Sequence, residues 1–105
     1  TCVRDYVYVK DIVRAYIRLA ESDFRGEAFN FSNDKGVPVL EIVKSIATLA
    51  GREDLEPEIQ NTMKAEIQSQ TLDSSKARRE LGWKPEYDLA SGLEETFSCY
   101  REYLA

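Results

Sequence analysis

Hydrophobic and polar positions along this chain change period several times, and each change marks an element. Val3, Val7 and Val9 alternate with Arg4, Tyr6, Tyr8 and Lys10, a spacing of two in β-branched and aromatic residues that predicts a strand with Arg4 and the tyrosines on one face. Asp11 is expected to cap a first helix, where Ile12, Val13, Tyr16, Ile17 and Ala20 recur at helical intervals as one apolar stripe running to about Ser22. Gly26 interrupts, and Ala28-Phe29-Asn30-Phe31 reads as a short buried strand that closes in the Ser32 to Gly36 loop.

Pro38 suits the first turn of a second helix, in which Leu40, Val43, Ile46, Ala47 and Ala50 carry the stripe until Gly51 stops it. From Arg52 to Thr71 the pattern lapses into a charged stretch broken at Pro57, with Ile59 and Ile67 as anchors, so a loop with one or two edge strands is expected. Asp73 then caps a short helix ending at Gly82, with Trp83 packed against its end. Asp88 caps a last helix, with Leu93, Phe97, Tyr100 and Leu104 as its buried stripe and Glu94, Glu95, Arg101 and Glu102 in water. The fold class predicted is a small, mostly helical α/β domain of about four helices and two or three short strands, occupying residues 1–105 as one unit.

Composition narrows the chemistry. Fourteen basic residues against nineteen acidic ones give a net charge of −5, the wrong sign for the counterion release that drives nucleic-acid binding. The chain has no histidine, and Cys2 and Cys99 lack metal-ligand spacing, so no metal site is expected. No apolar run is long enough to span a bilayer, and two lone cysteines fit a reducing cytoplasm. The five glycines, at 26, 36, 51, 82 and 92, stand singly, which leaves no glycine-rich turn to seat a dinucleotide pyrophosphate at a helix N-terminus.

Arg4 is the leading candidate for a binding role. A guanidinium forks onto phosphate oxygens better than any other side chain, and a half-buried strand position would otherwise favour Val or Thr. The structural alternative is an arginine paired with Asp5 or with a helix end to hold the strand. Asp5 and Asp11 are expected to be structural, the first ordering the strand end.

Four segments together carry a family resemblance: Arg4-Asp5-Tyr6-Val7-Tyr8-Val9-Lys10-Asp11, Gly26-Glu27-Ala28-Phe29-Asn30-Phe31, Leu72-Asp73-Ser74-Ser75-Lys76-Ala77 and Leu81-Gly82-Trp83-Lys84-Pro85. In order and spacing they resemble the C-terminal, substrate-holding part of NAD-dependent sugar-nucleotide epimerases and dehydratases, the extended short-chain dehydrogenases. Within that family the second and third segments look most like CDP-glucose 4,6-dehydratase and its relatives. The resemblance implies that the chain is the substrate-binding lobe of a longer enzyme, inactive alone, with a nucleotide-diphosphate sugar as ligand and Arg4 on its diphosphate. NAD and every catalytic group would belong to a missing N-terminal nucleotide-binding domain.

The resemblance also implies that the 63–70 stretch contacts substrate, which makes Lys64 and Glu66 candidates for contacts to the nucleotide base or ribose, with a solvated charge as the alternative for each. Lys64-Ala65-Glu66-Ile67-Gln68 departs there from the family's usual arginine-proline stretch, and Val39 stands where some thymidine-linked dehydratases carry a substrate-binding asparagine. Tyr6 and Lys10 match the family's catalytic Tyr-x-x-x-Lys spacing, but on a strand they would lie roughly 13 Å apart rather than about 6 Å on one helix face, so no catalytic residue is assigned. The competing expectation is a free-standing, non-enzymatic binding or interaction module descended from such a lobe.

Overall fold

In the computed structural model, which describes residues 2–60 and 66–104, strand β1 (Val3–Asp5) occupies the centre of an open three-stranded sheet. Strand β2 (Gly36–Pro38) pairs antiparallel with it, Val3 opposite Pro38 and Arg4 opposite Val37. Strand β3 (Ser69–Gln70) pairs parallel on the other edge, Val3 beside Ser69 and Arg4 beside Gln70. The edge strand expected before Thr71 is therefore present.

Strand β1 is shorter than the alternation predicts, because helix α1 (Val9–Glu21) already begins at Val9. Its N-cap is Tyr8, whose carbonyl accepts the N–H groups of Asp11 at 3.0 Å and Ile12 at 3.3 Å. Asp11 is thus not the cap. It is the third residue of α1, within its first turn, and is fully buried, its carboxylate taking the backbone N–H of Glu86 at 2.8 Å and of Tyr87 at 3.2 Å and pairing with Arg14. A carboxylate anchored to a segment so distant in sequence draws the helix start upstream of itself.

Helices α2 (Val39–Leu49) and α3 (Ser75–Leu81) end where glycine was expected to end them. Gly51 and Gly82 adopt φ of 68° and 63°, a left-handed conformation that costs other residues more. At the start of α3 the N-cap is Ser74, while the Asp73 carboxylate accepts the Ser75 N–H at 2.9 Å. Helix α4 (Leu89–Leu104) is preceded by Asp88, whose carboxylate takes the Ser91 N–H at 2.8 Å while Ser91 Oγ accepts the Asp88 N–H at 3.1 Å, the reciprocal arrangement of a capping box.

The stripe predicted for α4 is only half covered: Tyr100 and Leu104 are 61% and 75% exposed. Helix α2 packs on α4, but its 11 residues span about 16 Å against about 24 Å for the 16 residues of α4. Its cover therefore runs out before the second half.

The core is small. Ala15, Ala77 and Trp83 are fully buried, with Phe29, Phe31 and Leu81 packed around them. The indole meets the Phe31 ring edge-on at 5.1 Å and donates its N–H to the Asp11 carbonyl at 3.0 Å, so Trp83 both packs and pins. Ala28 to Phe31 is not a strand, contrary to its pattern. Among the described residues it has no ladder partner, and its two phenylalanines turn to Trp83 instead.

Helix α1 is amphipathic in an unexpected sense. Its inward positions are Asp11 and Ala15, flanked by Arg14 and Arg18, while Val9, Val13, Tyr16 and Ile17 stand 49 to 66% exposed. Arg18 reaches across to the Leu81 and Gly82 carbonyls, both at 3.0 Å, and so satisfies the C-terminal end of α3.

Candidate functional site

Arg4 projects from the middle strand with its side chain one quarter exposed. One terminal nitrogen donates to the Val3 carbonyl at 2.8 Å, and the other lies 3.4 Å from Glu66 Oε1. Glu66 is carried there by the run into β3, which the Val3 N–H holds by donating to the Gln68 carbonyl at 2.8 Å. The sheet register therefore unites two residues, 62 positions apart, that sequence reasoning had singled out separately. Lys64, the third, lies outside the described residues.

The ion pair weighed between Arg4 and Asp5 does not form. Asp5 Oδ1 accepts the Asn33 backbone N–H at 3.0 Å and its Oδ2 is buried without a partner among the described residues, while the Asn33 side-chain amide donates to the Tyr6 carbonyl. Asp5 thus ties the end of β1 to the turn at residues 32–34, which fits the expectation that it orders the strand end. The side chains that Arg4 and Glu66 present to solvent offer opposite chemistries side by side. A guanidinium suits phosphate oxygens, and a carboxylate whose second oxygen has no partner among the described residues suits hydroxyl donors.

That turn is fixed by a second cluster that the pattern did not reveal. Asp34, at φ 57°, accepts the Ser74 N–H at 2.8 Å and the Ser32 hydroxyl at 2.9 Å on one oxygen, and the Ser74 hydroxyl at 2.6 Å and Arg78 Nε at 2.9 Å on the other. Burial pushes the Asp34 carboxyl up, but the hydrogen bonds from Ser74 and Ser32, with Arg78 beside them, outweigh it and hold the group at about 2. Asp34 and Ser74 stand 40 positions apart, and no local motif announces such a pairing.

Tyr6 and Lys10 have separate duties. Lys10 sits in the first turn of α1 and pairs with Glu95 of α4, whose hydrogen bond and charge raise the ammonium and depress the carboxyl. Glu95 is consequently engaged rather than merely solvated. Tyr6 precedes the helix and lines a surface cavity of about 430 Å³ with Asn33, Lys35, Tyr87, Asp88 and Ser91. Arg4 and Glu66 are not among its walls.

The sequence model of the GDP-mannose 4,6 dehydratase family matches residues 1–96. UDP-glucose 4-epimerase of Mycolicibacterium smegmatis is 34% identical over 98 residues, a stretch covering 93% of this chain and 31% of that protein. A crystal structure of UDP-glucose 4-epimerase from Thermotoga maritima, with UDP-glucose, superposes with a TM-score of 0.90 at 36% identity over 99% of this chain and 33% of that one. The dTDP-glucose 4,6-dehydratase of Bacillus anthracis, in complex with NAD, superposes with a TM-score of 0.83 at 26% identity over 96% of this chain and 32% of that one. The chain spans about a third of the length of the relatives it matches.

Proposed function

From the premise that this chain belongs to the GDP-mannose 4,6 dehydratase family of NAD-dependent sugar-nucleotide epimerases and dehydratases, we propose that it is the sugar-nucleotide-binding lobe of a longer enzyme. Its ligand on this reading is a nucleoside-diphosphate sugar. Arg4 takes the diphosphate, and Glu66, beside it, accepts hydroxyls of the adjoining ribose. The observation that carries the reading is the 3.4 Å approach of these two side chains across the β1–β3 pairing. A nucleotide presents a dianionic linkage and a vicinal diol next to one another, and a cation next to an acceptor is their complement. Support also comes from the relatives, among them the UDP-glucose 4-epimerase of Mycolicibacterium smegmatis and that of Thermotoga maritima with UDP-glucose.

The chain's own glycines do not fit NAD. Gly51 and Gly82 close helices, Gly36 lies where a Cβ would meet Val3 Cγ1 at 2.7 Å, and Gly92 faces Tyr8 inside α4. The cofactor and the groups that act on the sugar accordingly belong to the remainder of the longer protein, and this lobe contributes binding energy and orientation. Cys2 and Cys99, both free thiols, suit a cytoplasmic setting. No helix among the described residues is long and apolar enough to cross a membrane.

The test is calorimetric titration of UDP into a family-length protein carrying this chain. Arg4→Ala removes a charge-assisted contact of about 2 to 3 kcal/mol and should weaken binding roughly thirty- to a hundredfold. Unchanged affinity together with a lowered melting temperature would make the arginine a purely structural partner of Glu66.

A further inference from the structure

Arg4 and Glu66 meet on very little sheet. Strand β1 is three residues long and β3 two, so two pairings, Val3 with Ser69 and Arg4 with Gln70, join them. The side-chain contact is one approach of 3.4 Å between partly exposed groups, a kind of pair that fixes little. The turn at residues 32–34 grips both strands from outside this ladder. Toward β1, the Asn33 backbone N–H donates to Asp5 Oδ1 at 3.0 Å and its side-chain amide donates to the Tyr6 carbonyl, so one asparagine holds the two residues that follow Arg4. Toward β3, Ser32 Oγ lies 3.3 Å from the carbonyl oxygen of Leu72, two residues past Gln70. Asp34 continues the grip, taking the Ser74 N–H on one oxygen and the Ser74 hydroxyl and Arg78 Nε on the other.

Reversing the chain does not require so many bonds. Ser32 and Ser74 are 1% and 0% exposed, and polar groups satisfied in so buried a place form a rigid network. Asp34 stands at φ 57°, the left-handed region that glycine enters most easily. An aspartate there is explained by what its carboxylate holds, and backbone of this kind collects where position matters.

We infer that the 32–34 turn is the positioning element of the nucleotide site, with Asn33 setting where Arg4 stands and Asp34 tying that setting to the chain that runs from Glu66 through β3. The inference rests on the reading of Arg4 and Glu66 as the side chains that take a nucleoside diphosphate. Asn33 and Asp34 do not touch that ligand; they act through Arg4. A diphosphate beside a ribose calls for a cation and an acceptor at one spacing, and a guanidinium displaced by about 1 Å loses its fork on the phosphate oxygens.

A double-mutant cycle in a family-length protein carrying this chain provides the test, read by calorimetric titration of UDP. Asn33→Ala should weaken UDP binding roughly three- to tenfold, the loss expected when a hydrogen bond that places a binding group is removed. In the Arg4→Ala background the same substitution should change affinity by less than about twofold, because nothing remains for it to place. Melting temperatures should instead fall additively, since the stability of the turn does not pass through Arg4. Should Asn33→Ala not fold, Asp34→Asn, which keeps an acceptor oxygen and tolerates the left-handed conformation, is expected to show the same dependence on Arg4 with a smaller loss. Equal losses with and without Arg4, or unchanged affinity in a folded variant, overturn the proposal and leave the turn a structural brace. Unchanged UDP affinity in Arg4→Ala alone defeats the ligand assignment itself, and the positioning role falls with it.

Discussion

Arg4 illustrates how one side chain can serve two neighbours without belonging wholly to either. Its contact with Glu66 is a single approach at 3.4 Å between partly exposed groups, a kind of pair that adds little to stability. In the enzyme proposed above the contact lies away from the reacting carbon and binds ground and transition states alike. Arg4→Ala should therefore raise KM more than it lowers kcat in steady-state assays of the longer protein, and Arg4→Lys should recover only part of the loss, since an ammonium keeps the charge and not the fork. Asp34 yields a prediction of a different kind. Its carboxyl is held at about 2, below the ordinary 3.8, so its contribution to stability is complete above about pH 4 and is lost as pH falls toward 2. Asp34→Asn keeps a residue tolerant of the left-handed conformation but loses the charge. Urea unfolding at pH 7 should show a loss of about 1 to 3 kcal/mol, with a smaller further loss between pH 4 and pH 2 than the unaltered protein suffers.

Helices were legible in the sequence because their signals are local. The stripes, the glycines at 51 and 82 and the Asp88-Ser91 cap all act within a few residues. Gly82→Ala makes this testable: at φ 63°, with Arg18 Nη1 3.3 Å from the new methyl, it should cost about 1 to 2 kcal/mol in urea unfolding. What escaped was decided by distant partners. Asp11 looks like a cap until Glu86 and Tyr87 are brought to its carboxylate. Ala28 to Phe31 has the composition of a strand but no neighbour among the described residues to complete a ladder. The stripe on α1 correctly located the helix, yet periodicity alone cannot say whether an apolar face turns toward its own core. Of the candidate site, Arg4 was visible as a residue type out of place and Glu66 only through the family resemblance of its stretch, whereas their meeting depended on a strand order that no local pattern encodes.

The described residues measure 50 × 37 × 19 Å, with a radius of gyration of 16.4 Å, against about 13 Å for a compact domain of this size. A body so flat buries little: five apolar residues make up its buried core. At this scale the expectation concerns the cofactor. The 105-residue chain should give no heat of binding when titrated with NAD, because no stretch of it combines clustered glycines with a helix N-terminus, and a micromolar dissociation constant would refute this.

The hold of Trp83 and its neighbours on α1 also sets a timetable for synthesis. The indole reaches Asp11 across 72 positions, Arg18 reaches Leu81 across 63, and Glu86 reaches the Asp11 carboxylate across 75. A chain emerging from the ribosome at some 5 to 20 residues per second must therefore carry α1 for several seconds before any of these tethers exists. Until residue 83 clears the exit tunnel, that helix has nothing to organise its polar side, and a nascent chain stalled short of this point holds a segment sticky on one side and unsatisfied on the other. Such long loop closures slow folding, so these tethers form late.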